Sequence, residues 1–266
     1  HLSHLPQDDY PALDTFKFVS IWLSFVLDQS QTSMRSLFKR LNVRGENLDI
    51  STFSKASKVR NPALFEKLLI DLKKSLRQSQ GIHLDELMLF PLDSTIVTLT
   101  SKLLWSQGFH QVKLFSGINL STGEPGGILI YFGQGHDSKY GNETIASTPQ
   151  KGIAVMDRGF CSLSRIKELQ QEKEKYFVLR IKNSIKLEML ENGNCLIGTG
   201  KEQVEVRVVT FSDLKEKTEF RLATNLPTTE DAGISHLEIG ECYRLRWQIE
   251  LLWKFLKMHL KLDRLI

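Results

Sequence analysis

The sequence predicts an α/β fold with a β-rich insertion, preceded by an all-helical N-terminal domain. Three observations carry that prediction. Apolar residues recur at helical spacing through residues 11–76. Two later apolar runs, Leu87–Leu92 and Gly152–Met156, each end in an aspartate. Residues 175–225 read as strands with no helix between them.

In the N-terminal part, Phe16, Val19, Ile21, Trp22, Phe25 and Val26 recur at helical spacing, as do Leu64, Leu68, Leu69, Leu72 and Leu76. Between them lie Ser33–Arg40 and, after a turn at Asn42–Asn47 containing Gly45, a second segment, Ser51–Arg60. Ser51 is a candidate cap for that segment, and Asn61-Pro62 closes it. Two short helices across a turn, the second carrying Lys55, Lys58 and Arg60, suggest a helix-turn-helix. A plain helical bundle with a solvated basic face accounts for the same pattern.

From about residue 85 the texture changes. Leu87–Leu92 is an apolar run closed by Asp93. Val112–Asn119 and Gly127–Phe132 read as strands joined by the turn Ser121–Gly127, and Thr144–Thr148 as a short helix. Gly152–Met156, closed by Asp157, precedes Arg158-Gly159 and an amphipathic helix from Ser162 to Gln171. Strands followed by helices, with apolar runs unbroken by alternation, mark strands buried on both faces. Tyr176–Ile181, Ile185–Met189, Gln203–Phe211 and Phe220–Thr224 form the β-rich insertion, with a turn at Asn192-Gly193-Asn194. Leu237–Leu262 reads as one long helix.

Composition narrows the function classes. A net charge of +4 and a pI near 8.9 are compatible with a nucleic-acid partner and equally with many metabolic enzymes. Cys161, Cys195 and Cys242 are odd in number and form no C-x-x-C pair, so they are read as reduced thiols rather than a disulfide framework or zinc site. No apolar run reaches the ~18 residues that span a bilayer, and no charged-then-apolar leader follows His1.

Asp93 and Asp157 are the first candidates for chemistry. In open α/β sheets ligands sit at the carboxyl ends of strands, where two carboxylates repel unless a hard divalent cation bridges them. Ending a strand and starting a turn explains either aspartate equally well. The last helix adds Tyr243, Arg246, Glu250, Lys254 and Lys257 on one face, with Leu245, Ile249, Leu252 and Leu256 on the other. A solvated face with i,i+4 ion pairs accounts for those charges, but not for Tyr243 or Trp247 among them. His136 lacks a partner at metal spacing and reads as a loop residue. The glycines around it do not form a phosphate-binding loop.

The order Tyr243-x2-Arg246-x3-Glu250-x6-Lys257, preceded by Leu92-Asp93-Ser94-Thr95 and Asp157-Arg158-Gly159-Phe160, resembles the insertion-sequence transposases with a Y-R-E-K signature, the insertion-sequence-four group of DDE enzymes. The resemblance runs from about residue 85 to the end, and more loosely over the helical part. It implies a ribonuclease-H-like core at residues 83–266, an insertion at about 172–234, and a helical DNA-binding domain at 1–82. It implies Asp93, Asp157 and Glu250 as catalytic ligands of two Mg²⁺ ions, with Mn²⁺ substituting, and Tyr243, Arg246 and Lys257 as contacts to the transposon-end backbone. Arg158, Lys182, Trp247, Lys55 and Lys58 join these as DNA-contact candidates, although Lys182, like Arg180, fits a solvated strand edge just as well.

The expected reaction is two-metal cleavage at the ends of a DNA element and strand transfer into target DNA, with hairpin ends as one route. Ser94 and Tyr243 are not needed as nucleophiles. The expected partners are double-stranded DNA and a second copy of the chain, with no membrane and a prokaryotic, nucleoid-associated cytoplasmic setting. Two other functions stay open: a metal-dependent nuclease that never joins strands, and a non-catalytic DNA-binding protein. The sequence departs from the family pattern at Pro91, in a presumed central strand, and in an insertion that has no Trp.

Overall fold

The computed structural model describes residues 10, 12–80, 88–98, 108–133, 135–213, 218–228 and 234–262. The chain divides into two compact units: His1–His83 with Phe255–Leu262, and Leu84–Lys254 with Asp263–Ile266.

The first unit carries helices α1 (Thr15–Leu27), α2 (Met34–Val43), α3 (Ile50–Val59) and α4 (Ala63–Gln80). Asp14 caps α1 by accepting from the Lys17 N–H, and Ser33 and Ser36 form a reciprocal capping box on α2. The cap of α3 is Asp49 rather than Ser51. The Asp49 carboxylate accepts the Ser51 N–H at 2.6 Å, which leaves Ser51 inside the first turn. Phe53 of α3 centres the unit's core, its ring 5.2 Å from Phe18, 5.4 Å from Trp22 and 5.3 Å from Phe38. Lys55 and Lys58 are exposed on the side of α3 away from Phe53 and Ala56. Residues 44–49 link α2 to α3, a longer connection than the usual three- or four-residue helix-turn-helix turn.

The second unit is built on strands β1 (Met88–Thr98), β2 (Gln111–Ile118), β3 (Pro125–Phe132), β4 (Gly152–Met156), β5 (Tyr176–Ile181), β6 (Leu187–Met189), β7 (Cys195–Ile197), β8 (Val204–Asp213) and β9 (Thr218–Thr224). Among the described residues these form one sheet in the order β3-β2-β1-β4-β5-β9-β8-β7-β6. β1, β4 and β5 run parallel, while the remaining pairings are antiparallel. The strands expected to form the insertion therefore continue the sheet. The first of them, β5, is a parallel neighbour of β4.

β1 is longer than its apolar run because it changes partner midway. Met88–Pro91 pair with β4 and Leu92–Thr98 pair with β2. Pro91 falls at that handover, where a missing N–H disturbs the ladder least. Asp93 is consequently a mid-strand residue, not the end of a strand as the sequence suggested.

The central strands are covered on both faces. On one side Phe90, Leu92, Ala154, Met156, Phe177 and Leu179 pack in a core with Ile145 of α5 (Asn142–Ala146) and Ile166 and Leu169 of α6 (Leu163–Gln171). On the other, Ile153, Val155, Val178 and Leu222 meet Ile239 of α7 (His236–Arg244), with Tyr243 packed alongside. The expected single helix over Leu237–Leu262 is two: α7 ends at Arg244 and α8 (Trp247–His259) follows, with Leu245 and Arg246 in the joint. Among the described residues no helix is long and apolar enough to cross a membrane.

Candidate active site

The parallel register of β1 and β4 sets the first two acids. Pro91 stands opposite Val155 as the last residue of this pairing, and Asp93 and Asp157 each follow two residues later on the two neighbouring strands. By strand alternation both share the face of Ile153 and Val155, against which α7 packs. Asp157 starts the short 3₁₀ turn Arg158–Phe160, yet its side chain makes no capping bond there. Its Oδ1 instead accepts a hydrogen bond from the Tyr243 hydroxyl at 3.0 Å and lies 4.0 Å from Nη1 of Arg180, on β5.

The helix joint sets the rest. Arg246 lies in the break between α7 and α8, and Glu250 falls in the first turn of α8, where the helix dipole favours an anion. Arg246 Nη2 donates to Glu250 Oε1, and its guanidinium lies 5.7 Å from the centre of the Tyr243 ring. Arg246 is thereby tied to Glu250 and Tyr243, while its Nε is buried with no partner among the described residues.

Electrostatics couple these groups. Burial pushes the Asp93 carboxyl up to about 6; the Ser94 N–H and the Arg246 charge oppose this, and the charges of Glu250 and Asp137 reinforce it. Burial and the Asp157 charge hold the Tyr243 hydroxyl above its ordinary value, so it remains a donor at neutral pH, with Arg246 and Arg180 opposing. For Arg246, burial works against the charge. The bond to Glu250 and the charges of Tyr243, Glu250 and Asp157 outweigh it and hold the guanidinium above its ordinary value.

The structure thus connects Asp93, Asp157, Glu250, Tyr243 and Arg246, and adds two groups that the sequence reading did not single out. Arg180 had been weighed only as a strand-edge charge, yet β5 sets it beside Asp157. Asp137 follows His136, whose ring caps the next 3₁₀ turn by accepting from the Ser138 N–H. Arg158 and Lys182 are exposed, Trp247 is 57% exposed at the start of α8, and Lys257 lies in the last turn of α8.

Among the described residues the acids acting on Asp93 are the carboxylates of Glu250 and Asp137, oxygen donors that suit Mg²⁺ or Mn²⁺ rather than a soft metal. A bound cation would offset the burial that raises Asp93 and the Glu250 and Asp137 charges that reinforce it, so the donor chemistry fits such an ion. Among the described residues, however, no three His, Cys, Asp or Glu side chains already stand close enough to hold one. Glu250 is turned onto Arg246 and Asp157 onto Tyr243.

Residues 87–266 match the family model described as a transposase DDE domain. Over 268 residues the chain is 66% identical to a protein of Synechocystis sp. assigned as the transposase of insertion sequence element IS4SA, in an alignment covering 100% of this chain and 79% of that protein. It is 25% identical over 236 residues, 81% of this chain and 60% of the relative, to a protein of Geobacillus stearothermophilus assigned as the transposase of insertion sequence element IS5377.

Proposed function

We propose, from the premise that this chain belongs to the transposase DDE-domain family, that it cuts DNA at the ends of an insertion sequence and joins the freed 3′-OH to target DNA. Asp93, Asp157 and Glu250 would hold two Mg²⁺ ions, with Mn²⁺ able to replace them. Such ions, when bound, activate the attacking oxygen and stabilise the leaving oxygen of a phosphodiester. The observation that supports this reading is the parallel register of β1 and β4, which pairs Pro91 with Val155 two residues before Asp93 and Asp157, together with the Glu250 charge acting on Asp93. The mixed strand order β3-β2-β1-β4-β5 supports a ribonuclease-H-like core.

The chain's own residues then have distinct tasks. Tyr243 orients Asp157 through its hydroxyl, and Arg180 supports the same carboxylate. Arg246 keeps a positive charge beside the acids, where a DNA phosphate must come to react. Arg158, Lys182 and Lys257 supply further backbone contacts, and Lys55 and Lys58 of the helical unit recognise the element's ends. Cut ends closing as hairpins would need an aromatic surface for an unstacked base. Phe211 and Phe220 stack on each other at 5.4 Å, and a Cβ at Gly240 of α7 would fall 2.8 Å from the Phe211 ring, so those rings are consumed by packing. The exposed Trp247 is the better platform. The working form is a homodimer on paired ends, acting in the prokaryotic cytoplasm on the nucleoid.

The test uses purified protein, a labelled element end and Mg²⁺. Asp93→Asn, Asp157→Asn and Glu250→Gln should each abolish cleavage and leave end binding largely intact. Near-wild-type cleavage by any one of them overturns the assignment. A pre-cut end with a free 3′-OH separates a transposase, which joins it to target DNA, from a nuclease, which does not.

A further inference from the structure

Asp137 is held through Oδ1, while Oδ2 packs against Gly159. Oδ1 accepts a hydrogen bond from the Ser94 hydroxyl at 2.8 Å and an ion pair from Lys113 Nζ at 2.6 Å. Lys113 is only 7% exposed and also donates to the Gly135 carbonyl at 2.6 Å, so its charge is committed to this place. On the other side, a Cβ at Gly159 would lie 2.7 Å from Asp137 Oδ2. That distance is too short for a real side chain, so Gly159 leaves the space that the carboxylate fills.

The three contacts fall at related positions. Ser94 is the residue after Asp93. Gly159 is the second residue after Asp157, within the 3₁₀ turn that Asp157 starts. Lys113 stands opposite Ile96 on β2, so by strand alternation it shares a face with Ser94, the face opposite to Asp93.

We propose that Asp137 is a positioning residue for the Asp93–Asp157 pair. From the opposite face of the sheet it holds the Ser94 hydroxyl, next to Asp93, and packs on Gly159 in the turn after Asp157, with Lys113 as its counter-ion. This rests on the reading that the two aspartates hold metal, and it names what fixes their separation. Ions bridged by two carboxylates tolerate errors of only about 0.5 Å in ligand placement. Loss of an outer-shell partner commonly costs 10- to 100-fold in metal affinity or activity. Lys113 gives the arrangement a second consequence. If Asp137 loses its charge, a buried cation is left unbalanced near a site that must attract cations.

The experiment measures Mn²⁺ affinity by electron paramagnetic resonance on the full chain, alongside the Mn²⁺ dependence of end cleavage. Asp137→Asn and Gly159→Ala should each weaken Mn²⁺ binding by about tenfold or more. Cleavage should recover as Mn²⁺ is raised, a pattern that general unfolding does not give. Ser94→Ala should weaken binding in the same direction, and Ser94→Thr, which keeps the hydroxyl, should restore it. Ile166→Val, a deletion in the buried core, should leave the Mn²⁺ midpoint unmoved. Should Asp137→Asn fail to fold, Gly159→Ala carries the test without altering any charge.

The proposal is overturned if Asp137→Asn and Gly159→Ala both bind Mn²⁺ within twofold of wild type while Asp93→Asn does not bind it. Unchanged Mn²⁺ binding by Asp93→Asn overturns the reading of the site itself, and this proposal with it.

Discussion

Replacing Asp93 by Asn should stabilise the metal-free protein, increasingly so as the pH rises. Folding moves the Asp93 carboxyl from 3.8 to about 6, chiefly by burial and further through Glu250 and Asp137, against the Ser94 N–H and Arg246. Between these values the folded chain keeps a proton that the unfolded chain has released. Stability therefore falls as pH rises through that window, and the full cost is present above it. A shift of about two units corresponds to about 3 kcal/mol, large against the 5–15 kcal/mol typical of a domain. Asn keeps the shape and removes the charge, so the variant should exceed wild type by up to about 3 kcal/mol at pH 8, converging with it towards pH 4. Calorimetric unfolding in EDTA, with both proteins run from pH 4 to 8, measures this directly. A difference that stays flat across the range, or grows as pH falls, refutes the reasoning. Added Mn²⁺ should stabilise wild type and leave the Asn variant unmoved.

Tyr243→Phe removes the 3.0 Å bond to Asp157 without opening a cavity, so single-turnover cleavage should fall about tenfold with no change in melting temperature. Unchanged cleavage would make Tyr243 a packing residue. Arg246→Ala should lower the slope of log K for end binding against log salt by about one, whereas an unchanged slope means that Arg246 serves Glu250 alone. Lys55→Ala combined with Lys58→Ala, both on the exposed side of α3, should reduce preference for the cognate end over random DNA; undiminished preference would show that α3 is not the reading element. With 2-aminopurine near the cut end, metal-dependent fluorescence should rise in the wild type and change clearly in Trp247→Ala, and no rise at any position, with linear products on a denaturing gel, would exclude the hairpin route.

The parts of the fold that the sequence announced are those set by local rules. β4 is a five-residue run buried throughout, and its shortness and flanking turns mark it as a strand covered on both faces. α6 starts where its amphipathic pattern does, at Ser162, whose side chain caps it by accepting the Arg165 N–H. What was misread depended on partners distant in sequence. The apolar run of β1 ends at Asp93, but Ser94-Thr-Ile-Val-Thr98 is rich in β-branched residues and pairs along its length with β2. The helix break at Leu245–Arg246 has no glycine or proline to announce it. β7, at three residues, is too short to alternate visibly.

The site divides along the same line. Asp93, Asp157 and Glu250 are legible as candidates because the motifs around them are local in sequence, although Asp93 lies within a strand and not at its end. A helix of 3.6 residues per turn was expected to align Tyr243 with Glu250, but the joint between α7 and α8 breaks that periodicity. The two residues are connected instead through Arg246, which bonds Glu250 and lies over the Tyr243 ring, while Tyr243 holds Asp157. Arg180 and Asp137 were passed over for a different reason: a single charge on a strand or in a glycine-rich loop has no pattern to recognise. Their roles exist only where β5 runs beside β4 and where the loop around His136 meets the turn after Asp157. A charged residue with an ordinary local context therefore becomes informative once strand order is known, because the ends of parallel neighbours determine which single charges must meet.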